Sequence, residues 1–139
     1  GSDEDLACLN LPGADALAQA RHLLQGSRAS VLALTMGSAG AALLTRSGQV
    51  FQAREQAPVD VMDTVGAGDC FLAGLVAAML RCSLPSDWGT RPVDGAVARV
   101  LLSNAIASAS LCVMRRGCVP PSHNEVQARL AQATIVFSA

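Results

Sequence analysis

The residues best suited to chemistry lie between Asp63 and Phe71, where a strand-like stretch ends and an amphipathic helix begins. Gly66 and Gly68 lack a Cβ, so the backbone there can turn several N–H groups toward one point. These N–H groups add to the partial positive charge of a helix N-terminus, and together they stabilise a phosphate or a phosphoryl group in transfer. Asp69 falls in the first turn of this helix, where the positive charge favours a carboxylate. The segment predicts an anion site with an acidic neighbour.

A carboxylate at that place could orient and deprotonate an alcohol that attacks phosphorus. Asp69 is a weak base, but phosphoryl transfer passes through a loose transition state in which positioning and charge stabilisation dominate. Two other interpretations stay open on the residues alone. Asp69 could simply complement the helix dipole above a tight turn, a contribution of about 0.3–1 kcal/mol. A dinucleotide-binding turn is the other, although Phe71 stands where its third glycine is expected.

The composition excludes several chemistries. All ten basic residues are Arg and none is Lys, which excludes a Walker A lysine, a Schiff-base lysine and a lysine general base. Tyr is absent, and the two histidines, His22 and His123, are too few for a three-histidine zinc site. We expect His22 on the surface of one helix and His123 in the first turn of another, so neither is assigned to catalysis.

Charge and cysteine usage favour small partners and a reducing compartment. The net charge of −1 offers no basic surface to nucleic acid or to an anionic membrane. The five cysteines, at positions 8, 70, 82, 112 and 118, are odd in number and lack C-x-x-C spacing, so neither a zinc ribbon nor a disulfide framework is indicated. The chain begins Gly1-Ser2-Asp3 with no signal segment after it. We therefore expect a cytoplasmic protein.

Two apolar stretches have the length to be tested as membrane spans. Residues 29–45 carry Gly37 and Gly40 in the middle, which predicts a strand, a turn and a second strand. Residues 96–114 contain Arg99 and Asn104, and an Arg in hydrocarbon is costly. This second stretch is therefore predicted to be a buried helix, and no contact with a membrane is expected.

The elements that must position the site predict an α/β fold. The chain has 139 residues, of which 51% are apolar and 15% charged, as in one core-rich globular domain. The run Val31–Leu34 is short and continuously apolar, a pattern typical of a strand buried on both faces in a parallel sheet. The predicted elements are a helix over 14–24 ending near Gly26, strands 31–34, 41–45, 50–53 and 59–62, a helix over 67–81, a loop over 83–92, a helix over 93–113, and a helix from Ser122 to about 133.

The run Asp63-Thr64-Val65-Gly66-Ala67-Gly68-Asp69-Cys70-Phe71-Leu72-Ala73-Gly74 resembles the second signature of the ribokinase-like, or pfkB, family of carbohydrate and nucleoside kinases, D-T-x-G-A-G-D-x-F-x-x-G. The resemblance implies that Asp69 is the catalytic base and that Gly66, Ala67 and Gly68 form the anion hole. It also implies that residues 1–139 are the C-terminal, nucleotide-binding and catalytic portion of a ribokinase-like three-layer α/β/α, Rossmann-like sheet domain. The resemblance further implies that the N-terminal substrate-binding half and the lid of such a kinase lie outside these 139 residues.

The stretch from Thr35 to Gly40, Thr-Met-Gly-Ser-Ala-Gly, is similar to the family's T-x-G-x-x-G turn. The resemblance assigns Thr35, Gly37 and Gly40 to the nucleotide site, whereas in isolation the same stretch would be an ordinary glycine entry to a hairpin. It also matches Asn104 to an asparagine that some members place near the adenine.

Further matches concern bound ions. Asp63, Val65 and Gly117 fall where some members hold a monovalent cation, which leaves K⁺ open as an activator. Pro121 stands where those members often have Ser. Asp5 occupies the place of a motif that organises magnesium and phosphate, so the resemblance implies ATP and Mg²⁺ as cofactors.

The function implied by the resemblance is ATP-dependent phosphorylation of a sugar or sugar-like alcohol in carbohydrate metabolism, with ATP and a small sugar or nucleoside as partners. The resemblance also allows a homodimer of the full-length kinase. Two alternatives remain: a truncated nucleotide-binding fragment, or a regulator that binds nucleotide without kinase turnover. The acceptor itself is not determined by these residues.

Overall fold

The computed structural model describes residues 1–138 and contains one four-stranded sheet with helices on both faces. The strand order is β1-β2-β3-β4, and every neighbouring pair is antiparallel. The strands are β1 (Val31–Thr35), β2 (Ala41–Thr45), β3 (Val50–Glu55) and β4 (Ile135–Ser138), and the helices are α1 (Asp3–Cys8), α2 (Ala16–Gly26), α3 (Ala67–Arg81), α4 (Gly95–Val113) and α5 (His123–Leu130), with a 3₁₀ turn at Gly37–Ala39.

Strand β2 separates two hydrophobic clusters, because side chains alternate between the faces of a strand. Ala42 and Leu44 pack with residues of α1 and α2 on one face. Ala41 and Leu43 pack with residues of α3 and α4 on the other face. All of β2 is buried. The chain is therefore a three-layer α/β/α arrangement, and the predicted fold class is confirmed.

The parallel pairing predicted for β1 is wrong within this chain. Its partner is β2, through the pairs from Val31–Thr45 to Thr35–Ala41, and the pairing is antiparallel. The connection between these strands is a tight turn, whereas a parallel pair needs a crossover of a dozen or more residues. Only Leu34 of β1 is fully buried. Parallel pairing is limited to a single bridge between Ser2 and Thr35.

Other boundaries also differ from the prediction. The expected strand at 59–62 is a loop, in which the Met62 N–H donates to the Val113 carbonyl at the end of α4. The last helix ends at Leu130, not near Ala133, which has a left-handed φ of +53°. Strand β4 and the short helix α1 were not predicted. Helix α3 matches the predicted 67–81, α4 begins two residues after the predicted start, and the hairpin β2–β3 is confirmed.

By length and composition α4 could cross a membrane, since its 18-residue window has a mean hydropathy of 1.6. More than half of that window is buried inside the fold. Its apolar residues, among them Leu101 and Leu102, pack against α3 and the sheet. This burial agrees with the prediction of a core helix.

Gly74 allows α3 and α4 to approach closely, and its replacement by Ala is expected to destabilise the protein. A Cβ at this position would lie 2.4 Å from the Ser108 hydroxyl oxygen and 2.8 Å from the Asn104 carbonyl oxygen. Overpacking of this kind costs about 1–3 kcal/mol. Thermal melting of Gly74→Ala against Gly26→Ala measures the effect, because Gly26 is also helical and has open space around its Cα. Equal melting temperatures for the two variants would contradict the close approach.

Candidate active site

The N-terminus of α3 is formed by the glycine turn that the sequence singled out. Gly66 is the N-cap residue, with a left-handed φ of 79° and no side-chain cap. The Ala67 N–H donates to the Thr64 carbonyl at 3.2 Å, and the Cys70 N–H donates to the Gly66 carbonyl at 2.9 Å. The N–H groups of Gly68 and Asp69 make no hydrogen bond within residues 1–138. These two donors, at the positive end of a 15-residue helix, are available to an anion.

The Asp69 side chain lies in the same first turn. It is exposed, and within the described part of the chain its carboxylate makes neither a hydrogen bond nor an ion pair. A free carboxylate beside unbonded N–H donors can accept a proton from a hydroxyl while the donors hold a charged group. The structure thus brings together Gly66, Ala67, Gly68 and Asp69, although the Ala67 N–H is already occupied.

Asp63 fastens this turn to the loop that follows α4. One carboxylate oxygen accepts from the Val65 N–H at 3.0 Å, and the other accepts from the Gly117 N–H at 2.9 Å. These hydrogen bonds, the one from Val65 first, hold the pKa of Asp63 below its ordinary value. The three residues that sequence resemblance linked to a monovalent cation therefore lie together. The two hydrogen bonds of the Asp63 carboxylate also hold the turn in place without a ligand.

The glycine turn from Thr35 to Gly40 joins β1 to β2. The Met36 N–H donates to the Gly40 carbonyl at 2.9 Å, and Gly40 has φ +99°. A Cβ on Gly40 would lie 2.2 Å from the Ala53 carbonyl, so this glycine allows the turn to pack on β3. Gly37 has open space around its Cα. No hydrogen bond joins this turn to the N-terminus of α3 among the described residues.

Asn104 is buried in α4, and both ends of its side-chain amide are hydrogen-bonded, the oxygen to two side chains and the nitrogen to the backbone. Its Oδ1 accepts from the Arg81 guanidinium at 2.7 Å and from the Gln127 amide at 3.4 Å. Its Nδ2 donates to the Val100 carbonyl at 2.8 Å. Asn104 also lines a cavity of about 190 Å³ between α3, α4 and residues 120–126. That volume is below the ~300 Å³ of typical small-molecule pockets.

Asp5 takes part in the N-terminal cap of α1. Its Oδ2 accepts from the Ser2 N–H at 2.9 Å, and the Ser2 hydroxyl accepts in turn from the Asp5 N–H at 3.1 Å, which makes a capping box for α1. The hydrogen bonds from Ser2 lower the pKa of Asp5. Helix α1 packs with α2 on the sheet face opposite α3.

Sequence reasoning missed a cluster of three cysteines behind the glycine turn. The Sγ atoms of Cys70, Cys112 and Cys118 all lie within 4.8 Å of one another. Burial, and next the neighbouring Cys112 and Cys118, raise the pKa of Cys70 to about 12. No C-x-x-C spacing marks the cluster, because its members belong to α3, α4 and the loop after α4. The placement of Cys70 in the glycine motif is the only signal that the sequence offered.

Fold and site together define a three-layer α/β/α protein with an exposed carboxylate beside a helix N-terminus that carries two unbonded N–H donors. Residues 2–125 match the model of the pfkB family of carbohydrate kinases. The chain therefore belongs to the pfkB carbohydrate kinase family. Among curated relatives, it is 31% identical to the aminoimidazole riboside kinase of Salmonella typhimurium over 109 residues, which cover 78% of this chain. The matched part is 31% of that relative, so the chain spans about a third of its length.

Solved structures of the family have the same fold. The aminoimidazole riboside kinase of Salmonella enterica, complexed with aminoimidazole riboside and an ATP analog, superposes with a TM-score of 0.69 at 25% identity over 94% of this chain and 40% of that one. The fructokinase of Vibrio cholerae O395, in its fructose, ADP and calcium ion bound form, gives a TM-score of 0.72 at 23% identity over 93% of this chain and 39% of that one. These matches agree with the ribokinase-like fold expected from the sequence.

Proposed function

We propose that the protein containing this chain transfers the γ-phosphoryl group of ATP to a hydroxyl of a sugar or sugar-like alcohol. The single observation that carries the proposal is the free Asp69 carboxylate beside the unbonded N–H groups of Gly68 and Asp69. Family membership supports the kinase class, since the relatives include an aminoimidazole riboside kinase and a fructokinase.

In the proposed mechanism, Asp69 orients the acceptor hydroxyl and takes its proton. The alcohol oxygen forms a bond to the γ-phosphorus while the bond from that phosphorus to the β–γ bridging oxygen breaks, and ADP leaves. Charge on the transferred group develops next to the Gly68 and Asp69 N–H donors and the positive end of α3. The turn is pre-organised because Asp63 bonds to Val65 and Gly117, so little rearrangement is needed when substrate binds.

Nucleotide binding at Thr35, Gly37, Gly40 and Asn104 is part of the proposal. Magnesium entering with ATP would neutralise charge on the phosphates and keep mostly phosphate and water ligands. Asp5 is the side chain proposed to contact that ion; it lies in the first turn of α1, and Ser2, the N-cap of α1, bridges Thr35 of the proposed nucleotide turn. The described cysteines are free thiols, which is consistent with action in a reducing cytoplasm.

A monovalent cation is proposed beside the glycine turn before α3, where the Asp63 carboxylate accepts hydrogen bonds from the Val65 and Gly117 N–H groups. The proposed ligands are the carbonyl oxygens of Val65 and Gly117 and the carboxylate of Asp63, because a hard cation prefers oxygen donors. The cation would add positive charge close to the anion donors without supplying a proton or a bond to the reaction.

A second candidate, a nucleotide-binding piece without kinase turnover, is favoured by an exposed apolar stripe on α3. Leu72, Val76 and Leu80 are 56%, 43% and 75% exposed, and they follow one another at four-residue intervals on one helix face. Such a surface is typical of an interface that another segment or partner covers. In that case catalysis would require the covering part.

A coupled assay of ADP release tests both candidates. ATP is supplied with a panel of ribose, fructose, ketodeoxygluconate and nucleosides, in KCl and in NaCl, and calorimetry measures ATP binding to the same sample. Acceptor-dependent ADP release supports the kinase, and faster release in KCl supports the cation site. ATP binding without ADP release from any acceptor would favour the second candidate, and equal rates in the two salts would contradict the cation site.

A further inference from the structure

The three-cysteine cluster is not used by the proposed reaction. Its thiols come from different elements: Cys70 from the first turns of α3, Cys112 from the end of α4, and Cys118 from the loop after α4. Among residues 1–138 it is the one group of three His, Cys, Asp or Glu side chains whose ligand atoms converge. Chain folding, and not sequence proximity, therefore assembles three soft ligands at one point.

The spacing of the sulfurs is close to that of a metal site. A tetrahedral zinc ion with Zn–S bonds of about 2.3 Å places its thiolate sulfurs roughly 3.8 Å apart. The three Sγ atoms already lie within 4.8 Å of one another, so adjustments of about 1 Å would complete the geometry. A disulfide would require a larger approach, to about 2.05 Å, and none of the three cysteines is paired.

Two of the three thiols are shielded from solvent, and the third lies at the surface, where a metal ion can enter. Cys70 is 4% exposed and Cys112 is fully buried, whereas Cys118 is exposed to solvent. A metal ion could reach the cluster past Cys118, and a water molecule there could occupy the fourth coordination position. Within residues 1–138, the only hydrogen bond of the Cys112 thiol to a group outside the cluster is a long one, 3.8 Å to the Val65 carbonyl. Thiols with so few other partners can turn toward an ion at small cost.

We propose that Cys70, Cys112 and Cys118 form a binding site for a soft divalent metal ion, with Zn²⁺ as the natural occupant and water as the fourth ligand. Binding replaces the thiol protons, which pass to solvent, so three thiolates and one Zn²⁺ leave a net charge of −1. The site lies directly behind the anion-binding turn, because a Cβ on Gly66 would lie only 2.1 Å from the Cys118 sulfur.

This position couples the metal to phosphate binding. The added negative charge opposes an anion at the Gly68 and Asp69 N–H groups, and the metal also restrains the segment that Asp63 ties to the turn. Zn²⁺ is therefore expected to inhibit turnover, a consequence that rests on the proposed kinase function. The metal site itself does not depend on that function.

Titration of the reduced, metal-free protein with Co²⁺ tests the site. We expect a near-ultraviolet thiolate-to-cobalt charge-transfer band, visible bands of tetrahedral Co²⁺, saturation at one ion per chain, and displacement by Zn²⁺. Cys118→Ser, at the exposed member, should weaken Co²⁺ binding at least about tenfold, since loss of a ligand should exceed the ~10–100-fold cost of losing a second-shell partner. Cys8→Ser is the matched control, because Cys8 is exposed and lies in α1, outside the cluster.

A missing charge-transfer band would overturn the proposal, as would equal affinities of Cys118→Ser and the unmodified protein. The proposal would also be overturned if the reduced protein binds no metal and the cluster instead forms a disulfide, which is seen as a mass loss of about 2 Da.

A second assay compares ADP release with and without Zn²⁺ in the unmodified protein and in Cys118→Ser. Inhibition confined to the unmodified protein supports the coupling, whereas unaltered turnover with metal bound refutes the coupling alone. Absence of any turnover would favour the second candidate, a nucleotide-binding piece without kinase turnover, and would leave the cobalt titration as an independent result.

Discussion

Replacement of Asp69 by Asn is expected to lower kcat for acceptor-dependent ADP release by about 10²–10⁴-fold, the usual contribution of a general base. Asparagine has nearly the same shape but cannot take the proton of the acceptor hydroxyl. The side chain is exposed and makes no hydrogen bond within residues 1–138, so its replacement should leave folding intact. ATP binding should remain within about twofold of the unmodified protein, because both N–H donors at this turn belong to the backbone.

The assay needs kcat, KM for the acceptor, and calorimetric ATP affinity in one preparation. Asp60→Asn is the matched control, since Asp60 is exposed, lies in the loop before the turn, and loses the same charge. Turnover near the unmodified level in Asp69→Asn would exclude Asp69 as the base. A loss of ATP affinity as large as the loss of kcat would instead assign Asp69 to nucleotide binding.

Replacement of Gly66 by Ala is expected to lower both stability and turnover. Its Cβ would lie 2.1 Å from the Cys118 sulfur and 2.8 Å from the Cys118 Cβ, and the φ of +79° disfavours a side chain. Overpacking costs about 1–3 kcal/mol and a left-handed conformation roughly 1–2 kcal/mol more. Either the turn shifts or Cys118 moves away, and a shifted turn misplaces the Gly68 and Asp69 N–H groups.

Gly68→Ala is the control that distinguishes the clash at Gly66 from the loss of any glycine in this turn. A Cβ at Gly68 meets no atom within 4 Å, so the melting temperature of Gly68→Ala should stay close to that of the unmodified protein. The double variant Gly66→Ala/Cys118→Ala removes the sulfur clash and keeps the 2.8 Å contact with the Cys118 Cβ. We expect it to recover part of the lost stability but not the parts due to that contact and to φ. Equal melting temperatures for Gly66→Ala and Gly68→Ala would contradict the packing of Cys118 against the turn.

Prediction from sequence succeeded where the signal is local. The apolar residues from Phe71 to Leu80 recur at three- and four-residue intervals, and α3 has the predicted limits. Residues 46–49 separate two short apolar runs, and the hairpin β2–β3 follows. The turn at Gly66 has the left-handed conformation that a glycine allows. Each of these features is decided by backbone preferences and side-chain spacing within a few residues.

Prediction failed where the partner lies far along the chain. Ile135–Ser138 is a short apolar run that becomes a strand only because β3 offers a free edge about 80 residues earlier. Val31–Leu34 has the composition of a parallel strand, yet the tight turn after it dictates an antiparallel neighbour. The adenine contact assigned to Asn104 by resemblance stays a prediction; the hydrogen bonds of its Oδ1 with Arg81 and Gln127 could not be read from the sequence, because both partners lie 23 residues away.

The sequence by itself determined the glycine turn, the carboxylate that follows it, and the helix that begins there, because each depends on residues that are consecutive in the chain. It also excluded lysine chemistry, because no Lys is present. Only the tertiary structure decided that Asp63 ties the turn to Gly117, and that Cys70, Cys112 and Cys118 meet behind it. The contact of Asp63 with Gly117 and those of Cys70 with the other two cysteines join residues more than 40 positions apart. Such pairs are selected by the packing of α3 on α4, which no local pattern encodes.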